Sequence, residues 1–217
     1  MGCTVYNVLK QKFNLMPFTG AWRDFLGTPA PTGVWSVQGT SGSGKTSFSL
    51  QLAKYLRTAM HKRVIFWSLE QYGDYGLQVA LRYANFNKND KGIYFAGPDE
   101  EADVLRMMQE KRGYNVLIID TLTALCETRP KGFTHRDFYA WKQLLADSLV
   151  IYILHEEEGT GQLTPNVAAF VRKQAAVKIS VVGFEAFANN RAGNVGGGGG
   201  TYIVNQSKRD EYHLQNL

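Results

Sequence analysis

At 217 residues, 44% of them hydrophobic and 20% charged, the chain is long enough to bury a core of its own and too evenly composed for wholesale disorder. A net charge of +5 suits an anionic partner such as nucleic acid, and suits many nucleotide-binding enzymes equally well. Two cysteines, Cys3 and Cys126, exclude a disulfide scaffold and are not spaced as a zinc site, which points to a reducing compartment. The opening Met1-Gly2-Cys3-Thr4-Val5-Tyr6 lacks a charged region leading into an apolar one, and Asn7 stands where a myristoylation signal wants Ser or Thr. No run approaches the roughly 18 apolar residues of a membrane span, so a cytoplasmic protein with no membrane partner is expected.

Residues 1–33 carry Phe18, Trp22, Phe25 and Leu26 among the turn formers Pro17, Gly20, Pro29 and Pro31. They read as an N-terminal flap packed on a domain formed by residues 34–217. From there, short apolar runs alternate with amphipathic stretches, the pattern of a mostly parallel sheet covered by helices on both faces. Strands are expected at Val34–Gln38, Arg63–Leu69, Gly92–Phe95, Asn115–Asp120 and Leu149–Leu154, with Val177–Val182 and Thr201–Val204 completing a set of seven. Helices are expected at Lys45–Arg57, Tyr75–Ala84, Glu100–Lys111, Asp137–Ala146 and Pro165–Ala175, the last with Thr164 as N-cap and Pro165 at its first position. The glycines of Gly196–Gly200 read as a loop. The fold class is therefore α/β, in three layers.

Between the first strand and the first long helix lies Gly39-Thr40-Ser41-Gly42-Ser43-Gly44-Lys45-Thr46, followed by Ser47. It fits the phosphate-loop pattern G-x-x-x-x-G-K-[ST], whose glycines let backbone N–H groups turn inward around phosphates while the helix N-terminus points at the same place. A chance match in a chain this long is on the order of one per cent, and the strand before it and helix after it are the setting that the motif requires. Residues Gly39 to Ser47 are thus expected to hold ATP or ADP, with Lys45 reaching the β- and γ-phosphates and the Thr46 hydroxyl ligating Mg²⁺.

Three further polar residues end apolar runs. Asp120 closes Val116-Leu117-Ile118-Ile119 and is either a magnesium-linked acid or a helix cap, the phosphate loop upstream favouring the former. Glu70 follows Val64-Ile65-Phe66-Trp67-Ser68-Leu69 and stands where a carboxylate can orient or deprotonate an attacking water, or is a solvated loop residue. His155 follows Leu149–Leu154 and is either in touch with the γ-phosphate or a histidine hydrogen-bonded at a strand end.

Taken together, the phosphate loop, Ser68-Leu69-Glu70, Leu117-Ile118-Ile119-Asp120-Thr121-Leu122-Thr123-Ala124-Leu125 and the strand ending in His155 resemble the ATPase core of RecA-like proteins. That family includes the RecA and RadA recombinases, DnaB-type helicases and the single-domain RecA-like ATPases of phages and mobile elements. The resemblance runs from about Val34 to Val204 and implies that Glu70 is the catalytic base, Asp120 the Mg²⁺-linked acid and His155 the sensor. Asn189-Asn190-Arg191-Ala192-Gly193 is similar to the Lys-x-Arg-x-Gly stretch of DnaB- and RadA-like members, whose basic pair reaches a neighbouring subunit's γ-phosphate. Asn189 departs from that pattern. Arg191 remains as the finger, with Lys178 and the pair Lys208-Arg209 as substitutes, and a finger acting in trans implies a homo-oligomer, a ring or a filament. The resemblance also places DNA-binding loops at Glu127–Arg136, with Arg129, Lys131 and Arg136, and at Glu156–Lys173, with Arg172 and Lys173. Beside Phe133 and Phe170 these would suit single-stranded DNA, although Glu156-Glu157-Glu158 opposes phosphate in the second loop.

Two function classes follow. One is an ATP-hydrolysing protein acting on single-stranded DNA in recombination, repair or replication. The other is a small-molecule or nucleotide kinase, in which Ser68-Leu69-Glu70 binds the acceptor, though no Arg-rich lid is evident; a slow nucleotide-dependent switch is a third course.

Overall fold

A run such as Val116-Leu117-Ile118-Ile119 offers apolar side chains to both faces of a strand, so it is stable only at the centre of a sheet covered on both sides. The computed structural model, which describes residues 4–12, 14–190 and 198–215, places it there. The strands are β1 (Gly33–Gly39), β2 (Val64–Ser68), β3 (Ile93–Ala96), β4 (Val116–Asp120), β5 (Leu149–Glu156), β6 (Leu163–Thr164), β7 (Val177–Val182), β8 (Glu185–Asn190) and β9 (Thr201–Ile203). Their order across the sheet is β3-β2-β4-β5-β1-β7-β8-β9, with β6 paired to β5. The run from β3 to β7 is parallel, and β8, β9 and β6 are added antiparallel.

The helices are α1 (Val5–Leu9), α2 (Gly20–Leu26), α3 (Lys45–Thr58), α4 (Tyr75–Tyr83), α5 (Glu101–Gln109), α6 (Leu122–Thr128), α7 (His135–Leu144), α8 (Asn166–Gln174) and α9 (Gln206–Gln215). Alternation along β4 divides the core in two. Val116 and Ile118 join Phe48, Leu52, Phe66 and Ile151 on one face, whereas Leu117 and Ile119 join Trp67, Phe138, Trp141 and Val171 on the other. The N-terminal segment belongs to the first cluster: Phe18, Trp22, Phe25 and Leu26 are buried in it. Trp22 stacks on Tyr55 of α3 at 5.2 Å and on Tyr202 of β9 at 4.3 Å.

The expected elements are present with ends shifted by a residue or two, and the differences have physical causes. Thr164 does not cap α8: it is drawn into β6, opposite His155, and Pro165 takes the cap position with the helix starting at Asn166. Among the described residues the sheet has nine strands, not seven. The two additional strands are β6 and β8; the end of β8 is Asn189 and Asn190 of the stretch read as the finger, and β8 is held by β7 on one side and β9 on the other. Arg191 and the first part of the glycine run lie outside the described residues.

Candidate functional site

Each strand of the parallel run from β3 to β7 ends at the same edge, where its connection to the next element must turn, and the polar residues that close those strands meet there. The loop between β1 and α3 passes so close to its neighbours at Gly39 and Gly44 that side chains would not fit there. A Cβ on Gly39 would lie 2.3 Å from the Val181 carbonyl oxygen, and one on Gly44, whose φ is 102°, would lie 2.7 Å from the Phe184 ring. Gly44 is also the N-cap of α3 and offers no side-chain cap, so the helix presents its first N–H groups to the loop.

Lys45 is buried and donates from Nζ to the Thr40 carbonyl at 2.6 Å. Burial lowers its pKa, opposed by the negative charges of Asp120, Glu70 and Glu156. Asp120 is 2% exposed. Its Oδ2 accepts from the Thr46 hydroxyl at 3.1 Å, and its Oδ1 has no partner. Burial and then the Glu70 charge push its pKa up to about 7, against the Thr46 hydrogen bond and Lys45. The cap of α6 is Thr121 rather than Asp120, which removes the helix-capping alternative for the acid. The same Thr121 hydroxyl donates to Glu70 Oε1 and accepts from the Ala124 N–H at 3.3 Å. Glu70 is thereby tied to the element that follows Asp120, a link 51 residues apart in sequence that no motif announces.

His155 sits beside Gly39 in the pairing of β5 with β1. One residue on, Glu156 Oε1 accepts from Gln38 Nε2 at 2.9 Å, and Gln38 Oε1 accepts from Arg172 Nε. Arg172 is thus tied to the strand that feeds the phosphate loop. A cavity of about 280 Å³ is lined by Ser41, Gly42, Gly44, Lys45, Thr46 and Ser47, by Glu70, Thr121 and His155, and on its outer side by Tyr83, Phe184 and Lys208. Of the finger substitutes, Arg209 is ion-paired with Glu185 at 2.8 Å, Lys178 lies within β7 opposite Ser36 and Asn189, and Lys208 faces the cavity. Sequence reasoning did not single out Thr121, Tyr83 or Phe184 for this site.

The residues expected on DNA are arranged differently. Arg129 pairs with Glu101 at 2.5 Å and Asp137 at 3.1 Å, and its guanidinium lies 5.4 Å from the ring centres of both Phe133 and Trp141. Phe133 is 3% exposed and Phe170 stacks on His135 at 3.9 Å, so the first ring is closed to a base and the second already has a stacking partner. Lys131 and Arg136 are exposed at the rim of a separate cavity of about 710 Å³, and Lys173 is exposed on α8.

A parallel sheet with a glycine-rich loop between its central strand and a helix, and acids on two neighbouring strand ends, is the RecA-like arrangement of an α/β P-loop protein. Two solved structures have this fold and superpose on the chain. Flagellar accessory protein FlaH from Methanocaldococcus jannaschii matches with a TM-score of 0.59 at 17% identity, over 86% of this chain and 91% of its own. A KaiC-like protein from the hyperthermophilic archaeon Pyrococcus horikoshii OT3 matches with a TM-score of 0.56 at 16% identity, over 75% of this chain and 79% of its own. No family model and no curated protein sequence matches the chain. At these identities the likeness speaks to the fold.

Proposed function

We propose that the chain binds and hydrolyses ATP in the presence of Mg²⁺. The observation that carries this reading is the unpartnered Oδ1 of Asp120, a carboxylate oxygen buried at the strand end beside the Thr46 hydroxyl and the phosphate loop. An orphaned acceptor of this kind costs about 1–3 kcal/mol, and a hydrated cation at this position would remove that cost. Among the described residues there is no cluster of three or more His, Cys, Asp or Glu that would hold a metal alone. That suits Mg²⁺, which keeps waters and takes few protein oxygens: Thr46 and Asp120 would hold it, Asp120 through a bound water. When bound, the ion neutralises charge on the β- and γ-phosphates.

Backbone N–H groups of residues 41–46 and the N-terminus of α3 cradle the phosphates. Lys45, whose burial disfavours its charged form, gains a phosphate in place of the Thr40 carbonyl. Glu70, held by Thr121, accepts a proton from water aligned with the γ-phosphate. His155, on the strand beside the phosphate loop, senses whether that phosphate is present. No helix is long and apolar enough to cross a membrane among the described residues.

A role on single-stranded DNA, in recombination, repair or replication, rests on the positive net charge and on the exposed side chains of Lys131, Arg136 and Lys173. Assembly into a ring or filament rests on the likeness of the stretch around Arg191, which lies outside the described residues, to the finger segment of RecA-like members. Both are tested by the ATPase rate as a function of protein concentration, with and without single-stranded DNA at two salt concentrations. A rate that rises with concentration and with DNA supports the assembling motor. A rate that is flat in both turns the reading to a kinase or a switch, and no hydrolysis with tight binding selects the switch.

A further inference from the structure

We propose that α9 is a strap drawn across the mouth of the nucleotide cavity, and that Lys208 within it supplies a second cation to the polyphosphate bound by the same chain. This rests on the nucleotide reading given above.

Helix α9 buries no residue, so core packing does not explain its position. Its entry is nonetheless fastened at several points. The N–H of Val204 donates to the Phe184 carbonyl at 2.8 Å. The Val204 carbonyl accepts from Gln51 Nε2 at 2.9 Å, and the Tyr202 hydroxyl meets Gln51 Oε1 at 2.9 Å. Gln51 belongs to α3, the helix that opens on the phosphate loop. Along the strap, Arg209 pairs with Glu185 of β8, and the Tyr212 ring lies so near Gly183 that a Cβ there would come within 2.2 Å of it.

These ties separate the two adjacent cations. Arg209 is used to fasten the helix. Lys208, one residue earlier, lines the cavity, with Nζ 4.9 Å from the Phe184 ring centre and 5.8 Å from that of Tyr83. Among the described residues no carboxylate forms a salt bridge with it. A cation resting on aromatic faces at an exposed mouth is weakly held and exchanges readily for a phosphate oxygen.

Charge explains the need. A triphosphate brings more negative charge than Mg²⁺ and Lys45 offset together, and the cavity wall adds the carboxylate of Glu70. Within the described part of the cavity lining, Lys45 and Lys208 are the two side chains of lysine or arginine, beside His155, Lys45 buried and Lys208 exposed. Phe184 connects them, since its ring touches Gly44 of the phosphate loop and carries the Lys208 ammonium on its face.

The test is calorimetric titration of ATP and ADP, each with Mg²⁺, into the wild type and the Lys208→Ala, Lys208→Arg and Lys45→Ala proteins. Lys208→Ala is expected to weaken ATP about ten-fold and ADP less, with the melting temperature without nucleotide unchanged and Lys208→Arg retaining most of the affinity. A mixture of Lys208→Ala and Lys45→Ala should be no more active than Lys208→Ala alone, because the two lysines serve the nucleotide of one chain. Unchanged ATP affinity in Lys208→Ala, equal losses for ATP and ADP, or restored activity in the mixture would overturn the assignment. Those results leave the nucleotide reading intact so long as Lys45→Ala loses binding; a wild type that binds neither nucleotide sinks both.

Discussion

The charged residues at the C-terminal edge of the sheet and those on the loops after β4 and β5 differ in how far the chain satisfies them by itself. Five buried side-chain polar atoms have no partner among the described residues, and three of them, Asp120 Oδ1, Ser43 Oγ and Ser68 Oγ, are at that edge. In the second group, Arg129 at the end of α6 already holds two carboxylates and Arg172 on α8 holds Gln38. Buried polar groups are as a rule satisfied, so the unsatisfied cluster supports the proposed nucleotide site, while Arg129 and Arg172 are committed to contacts within the chain. The comparison separates a site from a scaffold among residues that look equally functional when only their charges are considered.

The largest effects belong to the edge. Glu70→Gln should keep nucleotide affinity while hydrolysis falls roughly 10²–10⁴-fold, the usual contribution of a general base; single-turnover rates beside nucleotide titration check it, and normal hydrolysis would place the base elsewhere. Lys45→Ala should weaken ATP by about a hundred-fold, since it removes a charge-assisted hydrogen bond at a buried position. Full activity in that protein would remove the phosphate site from this loop altogether.

Asp120 adds a pH signature. Its folded pKa, about 7, lies above the ordinary value of 3.8, so the folded state binds its proton more tightly than the unfolded state does. That contribution to stability is complete below pH 3.8 and is lost as pH rises through about 7. In chelator-treated protein, Asp120→Asn should therefore raise the melting temperature at pH 8 by several degrees and by less at pH 6. An equal effect at both pH values would mean that the carboxylate is ionised throughout.

How much of this was legible depends on whether interacting residues are close in sequence. Strands β2, β4 and β5 were visible because burial on both faces leaves an unbroken apolar run ending in a polar residue. Strand β8, Glu185-Ala186-Phe187-Ala188-Asn189-Asn190, has no β-branched residue and was hidden. Helix α9 was hidden too, since a helix that buries nothing has no apolar stripe to find. The phosphate loop could be read because its parts are consecutive. The grip of Thr121 on Glu70, and the approach of Tyr83, Phe184 and Lys208 to one cavity, are made by crossovers between distant segments. The setting of the basic loops was hidden for a related reason: the sequence displays Arg129 and Phe133 but not the approach of Glu101 and Trp141, which satisfy and bury them.

The scaffold side of the comparison makes smaller predictions. Arg129→Ala leaves Glu101 and Asp137, both part-buried, without their shared cation, and should cost about 2 kcal/mol. That is roughly 4–8 °C in melting temperature for a domain of this size, with nucleotide affinity unchanged. If the loop instead meets single-stranded DNA, the binding falls to the exposed Lys131 and Arg136. Replacing both with alanine should then lower affinity by a similar factor for every sequence and reduce the salt slope by about 0.7 for each phosphate no longer neutralised. Stability should be within about 0.5 kcal/mol of the wild type, as for surface changes generally. A slope unchanged in the double variant would assign this rim to the scaffold with Arg129, and leave the edge of the sheet as the part of the molecule built to meet a ligand.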